Sequence, residues 1–479
     1  MKTKRKVLFA AFEATPFIKT GGLGDVAGSL PAALCDGETE VRVVLPKLGT
    51  LREEFTSRME FITHFTVPLG WRRQYCGLFR LKRDGHIWYF LDNEYYFHRA
   101  APYGEFDDGE RMAFFAKAVC ECMAHLPDFF PDVLHCNDWH TALAPVFLRE
   151  QYRGMADYER VRTVFTIHNL KFQGQYDPCV LGDVLGLDSC EAARGQLLRD
   201  GAVNYLAGAV AYADAVTTVS PTYAGEICGS ELGEGLDGLF RRRRGVLSGI
   251  LNGIDRRDYD PERDKALVQR YRDVSGKAAN KAALQRALGL REERDAPLLC
   301  MVSRLTEQKG VDLLCELLPR LPDEGVQLAV LGTGERDFER RLGEAAVASG
   351  GRIAARLLFS EELSRQFYAG SDMLLMPSRF EPCGLSQMIA MRYGTVPIVR
   401  QTGGLRDSVE PYNEFTGEGT GFGFTRADSN DLLGAIRKAV RLYRDRDAWT
   451  ALAARCMTMD FGWDGPAEEY RALYRRLLA

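Results

Sequence analysis

The chain has 479 residues, 46% hydrophobic and 27% charged, the balance of a globular protein whose length asks for two domains rather than one core. A net charge of −4 argues against a general nucleic-acid binder, and no apolar run approaches the roughly 20 residues that span a bilayer. Twelve scattered cysteines, with no CxxC and Cys120 and Cys122 as the closest pair, read as free thiols in a reducing cytoplasm, not as a disulfide framework or a zinc site.

The start, "MKTKRKVLFAAFE", imitates a signal peptide. Glu13 breaks its apolar run, however, and cleavage would endanger the glycine-rich stretch that follows, so it reads as the first strand. "KTGGLGDVAGSL" (19–30) then reads as a strand-to-helix turn ahead of a helix over "GSLPAALC" (28–35). Such turns hold phosphate, because exposed N–H groups and a helix start attract anions. The P-loop pattern fails, since no lysine follows the second glycine at the required place. Gly22, Gly24 and Ala27 do fit the G-x-G-x-x-A of a dinucleotide fold, yet the second strand, "VRVVLP" (41–46), carries no ribose-binding acid at its tip. A turn that merely needs glycine leaves Lys19 and Asp25 unexplained.

Further strands are expected at "HIWYFLDN" (86–93), "DVLHCND" (132–138), "RTVFTIHN" (162–169) and "AVTTVS" (215–220), several of them nearly continuous apolar runs, as strands covered on both faces should be. Helices over 109–126 and 141–152 alternate with them, which predicts an α/β fold with a parallel, doubly wound sheet. All seven histidines precede residue 169, so histidine chemistry belongs to this half. "HCNDWHTAL" (135–143) lacks the spacing and carboxylate partner of a zinc motif. His168 and Asn169 offer hydrogen-bonding groups at a strand tip, although a lone histidine is more often structural. "RRRR" (241–244) reads most simply as a solvated basic loop. A charged stretch over 252–273 marks the domain boundary.

The second half resumes the alternation with strands at 298–305, 326–334, 372–378 and 395–401 and ends in helical sequence. Two doubly wound domains facing one another would place a ligand cleft between their strand C-terminal ends. In "SRLTEQKG" (303–310), Arg304 and Lys309 stand at a strand tip, a forked donor and a point charge suited to a diphosphate. "RFEPCGLSQMIAMRYG" (379–394) is a second candidate anion cradle. The N–H groups of Gly384, Leu385 and Ser386 would point out of a helix start there, with Glu381 just ahead for sugar hydroxyls. Taken alone, Glu381 is also a favourable acid near a helix start, and Cys383 a small buried residue.

Together these segments resemble the glycogen and starch synthase family. The likeness rests on "KTGGLGDVAG", "HCNDWH", "TIHNLKFQG", "VTTVSPTYAGEI", "GILNGID", "SRLTEQKG", "LGTGE", the long block from Tyr368 to Val409, and "GTGFGF", in the family's order from residue 7 to about 426. The resemblance implies a GT-B fold of two Rossmann-like domains: 1–255 on the acceptor side, 256–455 binding the nucleotide sugar, and a helix within 456–479 crossing back. It also implies glucosyl transfer from ADP-glucose to the 4-hydroxyl at the non-reducing end of glycogen or a maltooligosaccharide, with retention and with no metal or cofactor, in the cytoplasm and without nucleic-acid or membrane partners.

By the same resemblance, Lys19, Gly21 and Gly22 meet the donor's phosphates and glucose, and Asp25 shapes the loop or contacts sugar. His168 and Asn252 lie beside the glucose, and Asp138 with Trp139 near the acceptor. Arg304 and Lys309 bind the diphosphate, Tyr368 stacks on the base, and Glu381 holds glucose hydroxyls beside the backbone of Cys383, Gly384 and Leu385. Two departures stand out. Ile389 occupies the place where the wider group of retaining GT-B enzymes has a second glutamate, and Tyr259 replaces a tryptophan after "NGID". With no second carboxylate in view, a front-face reaction is expected in place of a double inversion. A UDP-glucose donor, another GT-B transferase and a non-catalytic glucan-binding protein are the alternatives. Oligomeric state is not legible.

Overall fold

A computed structural model describes residues 4–479. The chain divides into two compact units, Met1–Gly253 with Trp463–Ala479, and Ile254–Gly462. No helix among the described residues is long and apolar enough to cross a membrane.

The first unit is built from β1 (Arg5–Ala10), α1 (Gly22–Leu34), β2 (Thr39–Pro46), β3 (Glu60–Leu69), β4 (Arg72–Arg83), β5 (His86–Asp92), α2 (Asp108–Cys122), β6 (Val133–Asn137), α3 (Leu143–Glu150), β7 (Arg162–Ile167), β8 (Ala215–Thr218) and β9 (Leu247–Gly249). Among the described residues these strands form one sheet in the order β9-β8-β7-β6-β1-β2-β5-β4-β3. The strands from β9 to β5 in that order run parallel. Val7, Leu8, Phe9 and Ala10 of β1 are fully buried, because helices cover both faces of the central strands.

Three features differ from the sequence-based expectation. Residues 60–83 form an antiparallel hairpin, β3 and β4, at one edge of the sheet. Their many charges and Pro68 hide the strand pattern, and an edge strand tolerates both because one row of its backbone groups faces solvent. Helix α1 starts at Gly22, not at residue 28, so most of the glycine-rich stretch is helix rather than turn. The basic run is also no free loop. Arg241 and Arg242 close a short helix, Asp237–Arg242; Arg241 pairs with Asp237, and Arg243 donates to the carbonyls of Val210 and Ala213 at another helix end.

The second unit contains α4 (Lys277–Leu288), β10 (Leu298–Val302), α5 (Val311–Leu317), β11 (Gln327–Leu331), α6 (Arg336–Ala348), β12 (Ile353–Arg356), α7 (Glu361–Gly370), β13 (Met373–Met376), α8 (Ser386–Arg392), β14 (Val396–Arg400), α9 (Gly403–Ser408), β15 (Phe422–Phe424), α10 (Ser429–Arg444) and α11 (Arg446–Thr458). Its parallel sheet runs β12-β11-β10-β13-β14-β15. Residues 456–462 stay with this unit, while the last helix, α12 (Asp464–Leu478), packs on α1 of the first. Trp463 Nε1 donates to Ser29 Oγ at 2.8 Å, and Arg471 donates to the Ala33 carbonyl.

In each sheet the strand order reverses once, beside β1 in the first unit and between β10 and β13 in the second. Open α/β sheets bind ligands outside the strand C-terminal ends at such a reversal, where neighbouring loops diverge. The loops in question carry Lys19, Asp138 and His168 in one unit, and Arg304, Lys309 and Glu381 in the other.

Candidate active site

In the first unit the loop after β1 folds back on α1, with Thr15 N donating to the Gly24 carbonyl. Its glycines do different work. A Cβ on Gly28 would lie 1.9 Å from Thr15 Oγ1, and one on Gly24 would crowd the Lys19 side chain, so these two serve packing. Gly21 and Gly22 are exposed, and a Cβ on Gly21 would meet nothing. Lys19 Nζ lies 2.7 Å from an Asp25 carboxylate oxygen, which explains the pairing of these residues in the sequence. Glu13, which in sequence only breaks an apolar run, is buried and accepts hydrogen bonds from the backbone and hydroxyl of Thr20. Burial raises its pKa.

Asp138 follows β6 with φ +56° and ψ 178°, a backbone region that is essentially confined to glycine and that the surrounding structure must hold in place. Its buried carboxylate accepts His168 N at 2.7 Å and Asn169 N at 3.4 Å, so it fastens the loop after β7 to the loop after β6. Burial pushes its pKa up to about 7. His168 Nε2 faces Asn137 Oδ1 at 3.0 Å. Asn137 Nδ2 donates to the Ala10 carbonyl at 3.0 Å, which orients the amide and leaves its oxygen to accept. Nε2 therefore carries the proton and Nδ1 is the acceptor. Desolvation pushes the imidazole down to about 3, so it is neutral at ordinary pH. Asn169 turns its own oxygen to Lys171 N.

Trp139 is half-buried against His140, which stacks between Phe12 and Tyr103. Among the described residues, the buried His140 Nδ1 atom has no hydrogen-bond partner, and neither has Asn252 Oδ1 in the segment after β9. A buried polar atom left unpaired is costly, which makes Asn252 a candidate for an external partner.

In the second unit the loop after β10 leaves Arg304 exposed, with no side-chain partner among the described residues. Lys309 ends a short 3-10 turn, and Gly310, at φ +69°, lets that turn press on β13; a Cβ there would stand 2.1 Å from the Pro377 carbonyl oxygen. Glu381 is buried, accepting from Lys309 Nζ at 2.6 Å and from Ser378 Oγ at 2.9 Å. The turn that follows contains Gly384 at φ +72° and Cys383, a buried thiol, and it enters α8 at Ser386.

Tyr368 is 4% exposed, beside Tyr393, with its hydroxyl 3.2 Å from Ser386 Oγ. The ring is thus buried beside the start of α8, to which its hydroxyl is joined. Lys277 carries no functional signal in the sequence. Its buried ammonium donates to the carbonyls of Tyr368, Ala369 and Tyr393 and to Thr395 Oγ1, at 2.8–3.1 Å. Nothing in a charged helical stretch signals that the lysine points inward.

The comparisons with known proteins cover both units. Residues 6–242 match the family described as starch synthase catalytic domain, and residues 287–455 match glycosyl transferases group 1. The chain is 49% identical over 475 residues to a glycogen synthase of Geobacillus thermodenitrificans, covering 99% of this chain and 98% of that one. It is 47% identical over 474 residues to one from Clostridium novyi, covering 98% and 99%. Among solved structures, the catalytic domain of starch synthase IV from Arabidopsis thaliana, bound to ADP and acarbose, superposes with a TM-score of 0.92 at 33% identity over all of both chains. A sucrose-phosphate synthase from Thermosynechococcus elongatus shares the fold, with a TM-score of 0.62 at 18% identity over 99% of each chain.

Proposed function

The chain belongs to the glycogen and starch synthase family and has its GT-B fold, and on that premise we propose that it transfers glucose from ADP-glucose to the 4-hydroxyl at the non-reducing end of an α-1,4-glucan, with retention. The full-length identity to glycogen synthases carries the reading, and the ADP and acarbose held by the starch synthase support a nucleotide-sugar donor and a glucan acceptor. Residues 1–255 form the acceptor-side domain, which also meets the donor's glucose and phosphates, and 256–455 bind the nucleotide. The cytoplasm is the compartment in which such a donor is met.

The roles follow from charge and geometry. Cleaving the sugar–phosphate bond leaves negative charge on the departing diphosphate, which needs cations already in place. Arg304, exposed and unpaired, and Lys309 bind it, with the backbone of Cys383, Gly384, Leu385 and Ser386 beside them. Glu381, fastened by Lys309 and Ser378, accepts from glucose hydroxyls. Lys19, Gly21 and Gly22 serve the donor, with Asp25 setting the direction of Lys19. Neutral His168 presents Nδ1 as an acceptor to the glucose. Asn252, with its unpaired oxygen, and Asn169 are further sugar contacts, and Asp138 with Trp139 serves the acceptor.

In the front-face reaction, the bond from the anomeric carbon to the phosphate oxygen breaks as the bond to the acceptor O4 forms. The O4 proton passes to the departing phosphate oxygen on the same face, so no protein nucleophile is needed. The test is incorporation of labelled glucose into glycogen from ADP-glucose and UDP-glucose in separate reactions. Incorporation from ADP-glucose is expected. Transfer from UDP-glucose alone overturns the donor, and no transfer from either overturns the activity.

A further inference from the structure

We propose that Gln387 and Ser408 act as a clamp that positions the Glu381–Leu385 turn toward the donor; both are positioning residues. Gln387, on the first turn of α8, is fully buried. Its Nε2 lies 3.1 Å from the Cys383 carbonyl, 2.9 Å from the Gly384 carbonyl and 2.9 Å from Ser408 Oγ. Ser408, at the end of α9, donates in turn to the Gly404 carbonyl at 2.6 Å. The chain of bonds then closes on itself, because Gly404 N donates to the carbonyls of Glu381 and Pro382.

The two glycines make this closure possible. A Cβ on Gly403 would stand 1.9 Å from the Glu381 carbonyl oxygen, and one on Gly404 would stand 2.2 Å from that of Cys383. Thus α9 lies directly against the backbone of the turn, and one amide ties the two together. With the carbonyls of Cys383 and Gly384 drawn inward by Nε2, the peptide planes that carry the next N–H groups have their direction set. The opposite end of the amide points to the same conclusion. Gln387 Oε1 is buried without a partner among the described residues, and a Cβ on Gly384 would come within 2.5 Å of it. A residue kept only for packing would be served better by methionine, which leaves no buried oxygen unpaired.

The inference rests on the reading of this turn as the donor site. Its test compares Gln387→Met, Ser408→Ala and Ser408→Thr with Arg304→Ala, measuring kcat, KM for ADP-glucose, KM for glycogen, ADP affinity and Tm. Gln387→Met should lower kcat/KM for ADP-glucose and ADP affinity by about 10- to 100-fold, the size of effect expected when groups at a reacting centre are slightly misplaced. KM for glycogen should stay unchanged. Ser408→Ala should show the same pattern more weakly, and Ser408→Thr, which keeps the hydroxyl, should restore it. Donor parameters unchanged in Gln387→Met and Ser408→Ala, with only Tm lowered, would overturn the clamp. If Arg304→Ala is equally silent, the donor-site reading falls and the clamp with it. Should Gln387→Met fail to fold, the contrast between Ser408→Ala and Ser408→Thr decides alone.

Discussion

Lys309 and Glu381 form an ion pair of 2.6 Å, with their side chains only 16% and 5% exposed. Arg304, in the same loop as Lys309, is exposed and has no side-chain partner among the described residues. Two cations that look equivalent in sequence therefore differ physically: Lys309 is held in place by a buried carboxylate, and Arg304 is oriented by no side chain among the described residues.

Arg304→Ala should accordingly cost about 2.7–4 kcal/mol of transition-state stabilisation and leave Tm unchanged. Lys309→Ala should lose activity on that scale and also about 3 kcal/mol of stability, because Glu381 stays buried without its cation. Steady-state kinetics and thermal unfolding of both variants check this. Equal Tm values for the two would contradict it.

The His168 imidazole is held neutral, and its tautomer is set by Asn137. The pH profile of kcat should therefore show no inflection between about pH 6 and about pH 8 that disappears in His168→Asn, since the group titrates far below that range. Asn137→Ala removes the acceptor that fixes the proton on Nε2 and should lower kcat by about 10-fold with little effect on KM for glycogen. A histidine-dependent inflection near neutrality would refute the neutral assignment.

Asp138 has a folded pKa of about 7, above its ordinary 3.8, so the folded protein holds its proton more tightly than the unfolded chain. Its contribution to stability is then greatest at low pH and is lost as pH rises from 3.8 to about 7. Asp138→Asn keeps the acceptor oxygen and the side-chain shape and removes the titration. Its stability relative to the parent should increase between pH 5 and pH 8, measured by urea unfolding at each pH (values chosen to bracket about 7). The buried histidines His135, His140 and His168, each pushed down to about 3, act in the opposite sense, lowering stability as pH falls below 6.5. They cancel in the comparison because both proteins contain them.

Tyr474 of α12 shares a 2.7 Å hydrogen bond with His135 Nδ1, and His135 Nε2 lies 2.6 Å from Thr166 Oγ1, which meets Thr217 Oγ1. This chain is buried and ties the last helix to strands β6, β7 and β8. Tyr474→Phe should cost about 1–3 kcal/mol by leaving one imidazole nitrogen unpaired. An unfolding midpoint identical to the parent's would show that the bond contributes nothing.

The sequence by itself determined the alternating α/β pattern, the central strands and the segments that carry the chemistry. Continuous apolar runs such as "KVLFAA" and the loops at their ends are local signals, because a strand buried on both faces has no polar side to hide it. His168, Arg304 and Lys309 were legible on the same ground, as polar or charged groups at strand tips, Lys19 and Glu381 from a glycine-rich turn and a helix start, and Asp138 only through the family resemblance. The hairpin at 60–83 was not, since an edge strand's polar face resembles a solvated loop. Only the tertiary structure decided which groups hold which: Lys309 against Glu381, Asp25 against Lys19, Lys277 against four oxygens, Gln387 across to Ser408 of α9. Those choices depend on burial and on partners far apart in the chain, and a residue's type and its neighbours in sequence carry no information about either.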